Sequence, residues 1–145
     1  MSNITLSADD ALKLSAQFRN ASTALGDYLY APENWPKIPE KDRATLQSLE
    51  VTLLNVASDL VTRAVGVIIQ DAEQSVADLV AATDHARDVI KTIDNVTRTI
   101  TVVTAMIGLA AVIPTGDAGA IFAALKNLQS AAKGEQTAKA RKAKT

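Results

Sequence analysis

No proline occurs between Pro39 and Pro114, and throughout that interval apolar residues return every three or four positions. Leu46, Leu49, Leu53, Val56 and Leu60 begin the series, and Ile100, Val103, Ile107 and Ala110 close it. That spacing aligns apolar side chains on one face of an α-helix, and the absence of proline leaves the backbone ladder unbroken. Oppositely charged neighbours such as Asp59 with Arg63 and Asp84 with Arg87 are at helical separations. The chain is therefore expected to be all-α.

A single rod of that length would run to roughly 105 Å at ~1.5 Å per residue. The rest of the chain is too short to cover it. The continuous apolar run 64–69 in its middle would lie bare, which soluble monomers avoid. Either the rod breaks or a second chain covers it. The preferred break is at Thr83 or Asp84, where a side chain able to cap a helix precedes His85 and Ala86. This gives a bundle of about four amphipathic helices with one long member near 40–82. Gly66 is then expected to mark a close helix crossing.

Before the rod, Ser7 and Asp10 have the spacing of a capping box, and Ala11, Leu14, Phe18, Ala21, Leu25 and Leu29 continue as a helical face toward Tyr30. Three prolines at 32, 36 and 39 then force a loop. Trp35, inside that loop, is expected to fold back as a lid on the bundle end. At the other end, residues 99–125 carry one charge, Asp117, and are apolar on nearly every face. The turn Pro114-Thr115-Gly116-Asp117 divides them into a helical hairpin, with Asp117 placed to cap the second arm.

The 145 residues suffice for one domain, expected over 1–125, followed by a basic tail over 126–145. Aromatics make up only 3% of the chain, so the core must come from Ala, Val, Leu and Ile. The net charge of −1 is unevenly spread. The tail, with Lys126, Lys133, Lys139, Arg141, Lys142 and Lys144 against Glu135, is strongly basic, and the rest is acidic. Such a tail can act as a solvated end or touch phosphate, acidic protein or anionic lipid. With no cysteine and no leader pattern at the N-terminus, a cytoplasmic location is expected. The sequons at Asn3, Asn20 and Asn95 are then chance matches.

Chemistry-bearing motifs are sparse. His85 stands between Asp84 and Asp88, but it is the sole histidine, and three or four ligands are needed for a zinc site. No Gly-x-Ser-x-Gly elbow, phosphate loop or dinucleotide fingerprint is present. The expectation is a non-enzyme with no metal or cofactor, in which His85 is an exposed surface residue. Nucleic-acid binding has only the tail in its favour, since the helical body is acidic.

Two functions remain. The first is a structural or interaction protein that buries its surplus apolar helix surface against copies of itself or a protein partner. The second is a membrane-active protein that inserts the hairpin 99–125 into lipid. Its general plan, an apolar hairpin joined to a long amphipathic helix, is similar to that of helical pore-forming toxins, in plan and not in any motif. The surface expected to serve either role comprises Val65, Val67, Ile68, Ile100, Val103, Met106, Ile107, Ile113, Ile121 and Phe122. The first arm offers about 15 residues before Pro114, against the ~20 needed to span a bilayer, so shallow insertion aided by Lys133, Lys139, Arg141, Lys142 and Lys144 fits better than spanning.

Overall fold

Ser7 opens the first helix as its sequence requires. Its hydroxyl accepts from the Asp10 N–H at 3.0 Å, and the Asp10 carboxylate accepts from the Ser7 N–H at the same distance. In the computed structural model, which describes residues 2–72, 74–92 and 95–133, this box starts α1 (Ala8–Tyr30). A strand β1 (Ser2–Thr5) precedes it. The proline-rich segment forms a short 3-10 turn, Trp35–Lys37, and leads into α2 (Glu40–Arg63). After α2 come strand β2 (Ile68–Ala72), α3 (Val76–Thr92), α4 (Val96–Val112), a second 3-10 turn Ile113–Thr115, and α5 (Ala118–Lys133). The all-α class holds, with five helices and one small sheet among the described residues.

The expected long helix near 40–82 does not form. Helix α2 stops at Arg63, and the break falls at Gly66, not at Thr83 or Asp84. Gly66 has φ +82°, the left-handed conformation that glycine adopts without steric cost, and an added Cβ there would meet nothing within 4 Å. It is a turn residue and not a helix crossing. Beyond it, the β-branched run Val67-Ile68-Ile69 extends and pairs antiparallel with β1, in the register Ile4 with Ile69 and Thr5 with Ile68. Two further backbone bonds, Leu6 N–H to the Val67 carbonyl at 2.9 Å and Gly66 N–H to the Leu6 carbonyl at 2.7 Å, extend the contact. Thr83 lies inside α3, with its hydroxyl donating to the Leu79 and Val80 carbonyls. The start of α3 is set by a second capping box, in which the Asp78 carboxylate accepts from the Ser75 N–H at 2.9 Å and the Ser75 hydroxyl accepts from the Asp78 N–H at 3.1 Å.

One core joins all five helices and the inner face of the sheet, filled by Leu6, Leu14, Phe18, Leu25, Leu53, Leu60, Ile69, Leu79, Ile90 and Met106. Helix α1 lies against α2 and α3, α4 against α2 and α5, and α3 against α5. The α4–α5 hairpin turns where expected, and Asp117 caps α5 by accepting from the Ala120 N–H at 3.1 Å. Gly116, with φ +71°, sits where a Cβ would come within 2.8 Å of the Ile68 carbonyl oxygen, so this turn is seated directly on β2. Trp35 closes the far end as a lid. Its ring stacks on Tyr30 with centroids 5.6 Å apart, and the Arg43 guanidinium lies 4.7 Å above it.

Candidate functional site

The residues expected to form an apolar interaction surface divide into two groups. Val103, Met106, Ile113 and Ile121 are fully buried, and Ile100, Ile107, Val67 and Phe122 are half-buried. Most of the hairpin is thus consumed by the molecule's own core. Val65 and Ile68 remain outside, at 47% and 54% exposure. Lys133 ends α5 and is exposed, so the first part of the basic segment belongs to the helical body. Lys139, Arg141, Lys142 and Lys144 lie outside the described residues.

A surface that the apolar beat alone does not single out runs along the outside of α2. Val51 and Leu54 are 55% and 44% exposed, exposed Ser58 and half-buried Val61 follow them at steps of four and three, and Val65, 47% exposed, lies two residues past the end of α2. This alternation of three and four residues is the spacing of a helix seam, and it lies to one side of the core stripe of Leu46, Leu53, Ala57 and Leu60. Between Thr45 and Ser58 the only charge is Glu50. Its carboxylate is drawn toward α1, where it accepts from the Tyr30 hydroxyl at 3.2 Å. Over this stretch the exposed side of α2 is therefore poor in charge, as the centres of protein interfaces are, with Val51 and Leu54 as its apolar residues.

The second feature is a cleft of about 590 Å³ between α3 and α5. Its floor is built from Ala82 and Leu125, both buried, and one wall from Phe122. Exposed side chains of Asp78, His85, Lys126 and Lys133 rim it. The Lys126 ammonium rests 5.2 Å over the Phe122 ring, and neither Lys126 nor Lys133 forms an ion pair among the described residues. Asp78 is committed to the α3 cap. Gln74 also lines the cleft. It is 6% exposed, and its amide oxygen and nitrogen both lack a hydrogen-bond partner. Among the described residues no other side chain leaves both its donor and its acceptor buried and unpaired.

His85 is exposed at the rim of this cleft, and no group of three or more metal-ligating side chains is found among the described residues. Among the described residues, the stretch Val96–Thr115 is long and apolar enough to cross a membrane by length and composition. It exceeds the expected 15 residues because α4 begins at Val96, ahead of Thr99, and the Ile113–Thr115 turn continues it. Comparison with protein-family models, with curated proteins and with solved structures finds no match.

Proposed function

We propose that this chain is a non-catalytic helical interaction protein that associates with a second copy of itself through the outer face of α2. The observation that carries the reading is the exposed pair Val51 and Leu54, continued by the half-buried Val61 and by exposed Val65 just past the helix, with Ser48, Asn55 and Thr62 beside them and charge only toward the end, at Asp59 and Arg63. Two copies related by a two-fold axis would bury the same stripe on both sides, the usual arrangement of a homodimer. Ile68, exposed at the near end of β2, extends the apolar surface past the helix.

The test is equilibrium sedimentation of the full chain beside Leu54→Lys. The reading expects the wild-type chain to dimerise and the variant to remain monomeric with an unchanged helical spectrum. A monomeric wild-type chain at the highest concentrations reached would remove it.

A second reading, insertion into lipid, draws on the length and hydropathy of Val96–Thr115. Against it stands the position of Val102, Val103, Met106 and Leu109, all fully buried, so that releasing α4 would dismantle the core. Flotation with vesicles with and without anionic lipid separates the two readings. Association that requires anionic lipid would favour insertion, and no association with either vesicle would end it.

A further inference from the structure

A buried amide with neither of its hydrogen-bonding groups satisfied is costly, and native proteins almost always pair such groups. Gln74 breaks this rule in the lining of the α3–α5 cleft, where a partner could come from outside. The cleft also has the size of ligand sites in general. We propose that it is a binding site for a small amphipathic anion that carries a hydrogen-bonding donor–acceptor group.

Each part of that chemistry follows from a lining residue. Lys126 and Lys133 supply two positive charges without carboxylate partners among the described residues, whereas the single lining carboxylate, Asp78, already accepts from the Ser75 N–H. An anionic head is therefore favoured over a cationic one. Ala82, Leu125 and the Phe122 ring give the ligand body an apolar bed, with Lys126 over the same ring. The Gln74 amide presents one donor and one acceptor side, matching a hydroxyl, a carboxamide or the edge of a heterocycle. This site is on α3 and α5, away from the α2 seam, so it does not depend on self-association.

Three probes of nearly one shape test the assignment with the full chain: 6-hydroxy-2-naphthoate, 2-naphthoate without the hydroxyl, and 6-hydroxy-2-naphthamide without the charge. Nuclear magnetic resonance titration reads the Gln74 side-chain amide directly. The hydroxynaphthoate is expected to give saturable shifts there and to bind about fivefold or more tightly than either comparator. Lys126→Gln, an exposed substitution that leaves Lys133 in place, should reduce the preference for charge. Gln74→Leu, which keeps the volume, should erase the preference for the hydroxyl. Equal binding of all three probes, shifts confined to the α2 face, or no saturable shift up to about 5 mM would each overturn the proposal. Should Gln74→Leu fail to fold, the Lys126→Gln arm and the wild-type probe series still decide it.

Discussion

The contact between α1 and α2 and the contact between α3 and α5 both carry small residues and reach opposite results. In the first, Ser15 donates to the Ala57 carbonyl at 2.6 Å and Ser22 to the Glu50 carbonyl at 3.0 Å, so buried hydroxyls are satisfied by the facing backbone. Phe18, Leu14, Leu25, Leu46 and Leu53 close the remaining space with no exposure. In the second, Ala81 and Ala82 are the small residues, and Gln74, Lys126 and Gln129 stand beside Phe122 and Leu125 and leave a cleft. Small residues permit close approach, and only the side chains beside them decide whether the gap is sealed.

Four substitutions break or sharpen this contrast. The largest effect is expected from Phe18→Ala, which empties the sealed side and should cost about 3–5 kcal/mol, read as a lower urea midpoint. Next comes Gln74→Leu on the open side, with the opposite sign. Removing an unpaired buried amide should raise stability by about 1–2 kcal/mol, measured as a higher midpoint without ligand. A loss there instead would mean that the amide is already satisfied. Ser15→Ala should cost about 1 kcal/mol through the lost bond to Ala57, whose carbonyl still faces the helix ladder. The smallest effect is expected from Gly26→Ala. The new Cβ would meet the Glu50 carboxylate at 2.5 Å, the movable end of a flexible side chain, while the helix gains propensity. The two should leave thermal stability within about 0.5 kcal/mol of wild type.

The elements legible in the sequence are those announced by local chemistry. Ser7 with Asp10, the three prolines, and Asp117 after Pro114 each fix an end of a helix, and each end stands where that chemistry puts it. The apolar beat of three and four continues through 64–72 and so hides the break at Gly66, whereas the strand buries Ile69 and Ala72 and leaves Ile68 outside. Two local signals mark the observed break. Gly66 ahead of a β-branched run marks a turn into a strand, and Ser75 with Asp78 repeats the capping box of Ser7 with Asp10. The partner strand leaves a fainter signal, since β1 has only four residues and its pairing spans about half of the chain.

The candidate surface was legible only in part. Apolar character along 99–125 does not distinguish a hairpin that meets a partner from one that fills its own core, and the structure shows mostly the latter. The seam on α2 was hidden among core positions of the same helix, because separating the two stripes requires knowing which face meets α1. Gln74 had no mark in the sequence at all. Its importance comes from burial without a partner, which only the fold creates.

The chain contains no cysteine, so a single engineered thiol reports on one position alone. Ser58 lies at the middle of the α2 seam, where a two-fold axis would bring it beside its own copy, within the ~4.4–6.8 Å Cα separation that a disulfide requires. Mild oxidation of Ser58→Cys should give a covalent dimer at low protein concentration, while Leu12→Cys, exposed on α1, should remain monomeric. Equal cross-linking of the two variants, or none at Ser58→Cys, would contradict self-association through α2.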